Sequence, residues 1–142
     1  MEPHDGELPK HAGECLCGGI RYEISGDLPN ARVCHCSICR KAFSGAGSYV
    51  AWLEPNNFSW RAGEELLKTY TDKRGLTLGF CSECGSTLCG IFEGMVACVT
   101  LGTLSGTPDI EIGAHIFVGS KAPWDEIGGD APQFDEHPPA RK

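Results

Sequence analysis

Aromatic residues make up only 8% of the 142 positions, and basic residues are outnumbered, 12 Lys and Arg against 19 Asp and Glu. The first shortage leaves few large side chains for a helical core. With 19 glycines, it favours a turn-rich β protein. The second shortage gives a net charge of -7 and a pI near 5.1. Such a chain lacks the basic footprint that nucleic acids and anionic membranes require, so neither is expected as a partner. Long apolar runs are also missing, and nothing approaches the roughly 20 residues of a transmembrane helix. The start, Met1-Glu2-Pro3-His4-Asp5-Gly6-Glu7, is acidic without an apolar run, which argues against a secretory signal and for a cytoplasmic location. No internal repeat with a period of about 20–50 residues is visible.

Cysteine, by contrast, is abundant. Nine cysteines in a reducing compartment read as metal or redox chemistry rather than a disulfide framework. Seven of them fall into three motifs: Cys15-x-Cys17, Cys34-x-Cys36-x-x-Cys39 and Cys81-x-x-Cys84. Two of these are short knuckles, each followed by glycine. Cys15, Cys17, Cys81 and Cys84 would close a four-sulfur tetrahedron around zinc, a structural site with no free corner. Such a site contributes on the order of 10–16 kcal/mol of apparent binding energy to folding at neutral pH. Redox-active or merely buried thiols are the competing reading of these motifs.

The middle motif, Cys34-His35-Cys36-Ser37-Ile38-Cys39-Arg40-Lys41, crowds three thiols together and offers a second metal three ligands. Three protein ligands and an open position form the arrangement of a catalytic zinc. Zinc with three thiolates carries a net negative charge and is a weak maker of hydroxide. It still deprotonates an incoming thiol, so thiol chemistry is the better expectation than hydrolysis. Alternatively, Cys89, Cys98 or His35 completes a second closed site. His35 is a candidate proton shuttle, and Arg40 and Lys41 are candidates for lowering a thiolate pKa or meeting a substrate carboxylate. His115, in an apolar strand, reads as a core residue, and Cys89 and Cys98 read as small buried hydrophobes.

The expected organisation is a flexible lead-in over residues 1–12, one zinc-binding β domain over 13–127, and a loosely ordered tail over 128–142. Alternation and turn signals place strands at Ile20 to Ile24, Ser48 to Leu53, Phe58 to Trp60, Leu76 to Phe80, Met95 to Leu101 and Ile110 to Val118. Glu64 to Tyr70 is readable as a helical turn or a strand. The fold class is all-β, or β-rich.

Taken in order, Gly13-Glu14-Cys15-Leu16-Cys17-Gly18-Gly19-Ile20-Arg21-Tyr22, the three-cysteine motif, Phe80-Cys81-Ser82-Glu83-Cys84-Gly85, His115-Ile116 and Ser120-Lys121-Ala122-Pro123-Trp124 resemble the glutathione-dependent formaldehyde-activating enzyme / centromere protein V family. The resemblance implies several small coiled antiparallel sheets organised around a structural zinc held by Cys15, Cys17, Cys81 and Cys84. It implies a catalytic zinc at Cys34, Cys36 and Cys39, hence two zincs per chain, the second not necessarily at full occupancy. It also implies a carbon–sulfur lyase that joins formaldehyde to glutathione as S-hydroxymethylglutathione, so small thiol and aldehyde substrates are the expected partners. Two rival readings are a non-enzymatic zinc-binding protein-interaction module and a thiol redox protein.

Overall fold

The computed structural model of the chain describes residues 9–139. In chain order its regular elements are β1 (Pro9–Glu14), β2 (Arg21–Ser25), β3 (Asn30–Cys34), α1 (Ser37–Phe43), β4 (Ser48–Trp52), β5 (Phe58–Ala62), β6 (Leu67–Thr71), β7 (Thr77–Cys81), β8 (Thr87–Phe92), β9 (Met95–Thr100) and β10 (Ile112–Ile116), with three short turns of 3-10 helix between them and a fourth after β10. The fold is β-rich, as its composition requires. Residues Glu64–Leu66 form a 3-10 turn that runs directly into β6, so both readings of that stretch hold in part.

The strands gather in two sheets. A small one has the order β1-β2-β5, and a larger one the order β10-β3-β4-β9-β8-β7-β6. Neighbours are antiparallel except β3 and β10, which run parallel with Cys34 beside Ile116. The β8–β9 hairpin turns through Glu93 and Gly94, both at positive φ, the geometry that matches the twist of paired strands.

Three of the scarce aromatics pack together on the small sheet. Tyr22 is buried, stacks on Phe58 at 5.2 Å and meets Trp60 edge-on at 6.5 Å. Its hydroxyl lies 2.9 Å from Thr103 Oγ1, which in turn lies 2.9 Å from Thr100 Oγ1 at the end of β9. Thr100 donates onward to the Thr87 carbonyl at 2.8 Å. The hydroxyl chain thus satisfies a phenol that burial would otherwise penalise. Around it the core is aliphatic, with Ile20, Ile24, Leu88 and Val99 fully buried.

Two expectations about the ends need correction. Residues 9–12, expected to belong to a flexible lead-in, lie in strand β1, which pairs with β2 from Pro9 onward. As an edge strand, β1 tolerates proline and polar side chains that would not suit a central one. The tail is also not loose through the residues described. It returns along β10, with His115 N–H donating to the Pro132 carbonyl at 2.8 Å and Phe134 N–H to the His115 carbonyl at 2.9 Å. Backbone pairing, rather than an apolar pattern, holds it. The expectations for residues 1–8 and 140–142 lie outside the described residues. Among the described residues no helix is long and apolar enough to cross a membrane.

Candidate functional site

Chain reversals bring the cysteine motifs together in two clusters. Cys15 and Cys17 lie in the turn between β1 and β2, Cys81 ends β7, and Cys84 lies in the turn before β8. Gly18 and Gly85 adopt positive φ, which lets each knuckle fold back on its own thiols. Backbone N–H groups point at the sulfurs: Ile20 to Cys15 at 3.3 Å, Cys17 to Cys84 at 3.4 Å and Glu83 to Cys81 at 3.4 Å. The Cys15 and Cys17 sulfurs are 3.6 Å apart and those of Cys17 and Cys81 3.9 Å. Four sulfurs at the corners of a tetrahedron with bonds of about 2.3 Å would stand about 3.8 Å apart. The cluster therefore fits a metal ion, and it ties the small sheet to the large one.

The electrostatics agree. Cys84 is lowered to about 5 by the Ser86 hydroxyl and amide and by the Cys17 amide. Cys17 goes the other way, up to about 12, as Cys15 and the neighbouring thiols outweigh the opposing pull of the Gly19 amide. Four thiols this close cannot all ionise unless a cation shares their charge.

The second cluster is built on a strand-to-helix corner. Cys34 ends β3, Cys36 is the N-cap of α1, and Cys39 lies within the helix. The Cys36 sulfur accepts from the Cys39 N–H at 3.3 Å, so a ligand-type side chain also starts the helix. The sequence reads as a loop here because a helix this short is costly to nucleate alone. Gly47 permits the close approach of β4, since a Cβ there would collide with the Cys34 carbonyl. The sulfurs of Cys34, Cys36 and Cys39 lie within 4.8 Å of one another. Among the described residues no further His, Cys, Asp or Glu joins this group, so Cys89, Cys98 and His35 do not complete it.

One thiolate is favoured within the trio. Cys39 is lowered to about 5, chiefly by Cys34, with Ser48, Cys36 and Arg74 assisting against burial. Cys34 is pushed up by the same contact and by burial. Arg74 comes from the β6–β7 turn. It is held there by Asp72, whose Oδ2 accepts from Arg74 Nε at 3.0 Å and Nη2 at 2.6 Å. Both the Asp72 pairing and the contact with Cys39 keep the guanidinium charged.

A cavity of about 420 Å³ opens beside the trio. Its wall is mostly apolar, with Val50, Trp52, Leu78, Ile116 and Phe117, and it carries the cations Arg32 and Arg74. Cys98 also lines it, while Cys89 is buried elsewhere in the core; burial pushes both thiols up, Cys98 to about 11 and Cys89 to about 12. A larger cavity, about 770 Å³, is lined by polar residues such as Lys10 and Asp27 and holds no cysteine.

His35 sits apart from its neighbours in sequence. It is fully buried and is not among the residues that line the cavity. Its Nε2 lies 3.0 Å from Nδ1 of His115, itself buried, as expected for a core residue. Arg40 and Lys41 also do not line the cavity. Lys41 faces an adjoining groove with Lys73 and Tyr70. Sequence reasoning missed Arg32, Arg74 and Trp52, isolated residues that carry no motif and meet only through the sheet order.

The family model for the glutathione-dependent formaldehyde-activating enzyme matches residues 10–120, a span that contains both cysteine clusters. A Rhodobacter sphaeroides protein of known crystal structure is similar in fold, with a TM-score of 0.55 and 24% sequence identity over 86% of this chain and 98% of that one. With the match covering most of its length, the chain belongs to the glutathione-dependent formaldehyde-activating enzyme family.

Proposed function

We propose that this protein is a zinc-dependent enzyme of the carbon–sulfur lyase type that adds a thiol to formaldehyde or a similarly small aldehyde, and catalyses the reverse. One observation carries the reading: Cys34, Cys36 and Cys39 gather without a fourth partner of ligand type among the described residues, at the edge of a cavity. The four-cysteine cluster, closed on itself, would take the structural zinc. Zinc at the three-cysteine cluster would hold an incoming thiol as thiolate in its remaining position.

In the forward reaction the thiol sulfur bonds to the aldehyde carbon as the carbonyl π bond opens. The proton lost by the thiol ends on the former carbonyl oxygen. Confinement beside the cluster brings the two reactants together, which lowers the entropic part of the barrier. Arg74, facing Cys39, would draw charge from that sulfur and steady it. His35, fully buried and in contact with His115, would position the Cys34–Cys36 corner, and water entering the cavity would carry the proton. Nine free thiols suit a reducing compartment, which supports a cytoplasmic setting.

The test is to follow formaldehyde with a panel of thiols on zinc-loaded protein by NMR, with Cys36→Ser as control. Accelerated formation of the S–CH2–OH adduct, lost in the variant, is expected. Rates equal to the uncatalysed reaction for every thiol would overturn the reading.

A further inference from the structure

The identity of the thiol can be argued from the cavity wall. Arg32 and Cys34 are two residues apart on β3 and therefore face the same side, about 6.5 Å apart along the strand. Arg32 is half-buried and lines the cavity opposite Val50. Among the described residues it has neither an ion pair nor a side-chain hydrogen bond, although the chain has 19 acidic residues. Arg74, the other cation of the cavity, is committed to Asp72 and Cys39. Arg32 is thus the guanidinium left for a ligand.

Between Arg32 and the trio the surface offers little to a polar molecule. Val50, Trp52, Leu78, Ile116 and Phe117 present carbon, and besides the arginines and cysteines only Ser48 and His137 bring polar side chains to the wall. Glutathione carries two amides, two carboxylates and an ammonium group. Seated here, most of these would lose water without finding partners, at a cost of order 1–3 kcal/mol for each unpaired group.

We propose that the cavity binds a thiol with an apolar body and a single carboxylate, the carboxylate paired with Arg32 and the sulfur directed to Cys34, Cys36 and Cys39. This rests on the thiol–aldehyde reading of the same site. Guanidinium and carboxylate match as planar, charge-assisted partners, and the apolar body covers Trp52 and its neighbours. A mercaptobenzoate has this constitution, a rigid aromatic body carrying one thiol and one carboxylate.

The test compares 4-mercaptobenzoate, its neutral analogue 4-mercaptobenzamide, and glutathione, each with formaldehyde and the zinc-loaded full chain. A kcat/KM for the acid at least about tenfold above both others is expected. Arg32→Met should cut the acid-to-amide ratio about tenfold, and Arg32→Lys should restore part of it. Calorimetry on the same proteins should show a matching loss of 4-mercaptobenzoate affinity in Arg32→Met, with circular dichroism and zinc content confirming its fold. Preference for glutathione, or an acid-to-amide ratio that survives Arg32→Met, overturns this inference and leaves the thiol–aldehyde reading standing. If no thiol reacts faster than in buffer, that reading falls. Calorimetry then decides alone: Arg32-dependent binding of the acid upholds the assignment of the cavity, and binding indifferent to Arg32 overturns it.

Discussion

His35 Nε2 and His115 Nδ1 meet at 3.0 Å, joining the residue between two cluster cysteines to the strand that runs parallel beside them. Both rings are buried, and burial lowers both from the ordinary value of 6.5. For His35, His115 and Lys121 add to that lowering. Asp125 opposes it, with Oδ2 3.9 Å from His35 Nδ1. Asp125 also opposes the lowering at His115. A base lowered on folding binds more protons when unfolded. Its stabilisation is therefore complete above about pH 6.5 and is lost as the pH falls below it. Zinc-saturated wild type should lose melting temperature between about pH 7.5 and 5.5, and His115→Gln should lose less over the same range. Equal slopes would show that the pair does not titrate with folding.

The two cysteine clusters should respond differently to mutation. Cys84→Ala breaks the cluster that joins the two sheets. The metal energy at stake, of order 10–16 kcal/mol, matches or exceeds a domain's entire stability, so the variant should be unfolded by circular dichroism. Cys36→Ala removes a helix cap worth about 1 kcal/mol and should fold while losing activity. Equal loss of ellipticity in both would refute this division.

Legibility in the sequence followed local spacing. Both knuckles and the cysteine trio were readable because ligand spacing is a short-range signal. Strand β8 was not, because Leu88, Cys89 and Gly90 are all buried in succession and show no alternation. Strand β1 was hidden by Pro9, Lys10 and His11, acceptable at an edge. The tail was hidden by its Gly, Pro and charge, since backbone hydrogen bonds to β10 carry no side-chain pattern. Arg32 and Arg74 come from β3 and the β6–β7 turn, and only the sheet order places them at one cavity.

Asp72 should matter more than a turn residue usually does. Its carboxylate accepts from the Arg74 and Leu76 N–H groups at 2.8 and 3.2 Å as well as from the Arg74 side chain. Asp72→Ala should cost about 1–3 kcal/mol in urea unfolding. It should also free Arg74 from Cys39 and speed zinc loss to a colorimetric chelator. An unchanged release rate would mean that Arg74 does not support the cluster.

Gly90 faces Cys98 across the β8–β9 pair, and a Cβ there would lie 2.7 Å from the Cys98 sulfur. Gly90→Ala should destabilise the protein by about 1–3 kcal/mol through overpacking. Adding Cys98→Ala should recover much of that loss, a non-additivity expected of touching residues. Additive effects in a double-mutant cycle would exclude the contact as the cause.

The most direct measurement of the central claim is zinc per chain, before and after dialysis against a mild chelator. Two zincs are expected, one for each cluster, with the zinc of Cys34, Cys36 and Cys39 lost first and that of Cys15, Cys17, Cys81 and Cys84 retained. Two zincs that resist the chelator equally, or a single zinc that reconstitution cannot raise to two, would contradict an open reactive site beside a closed structural one.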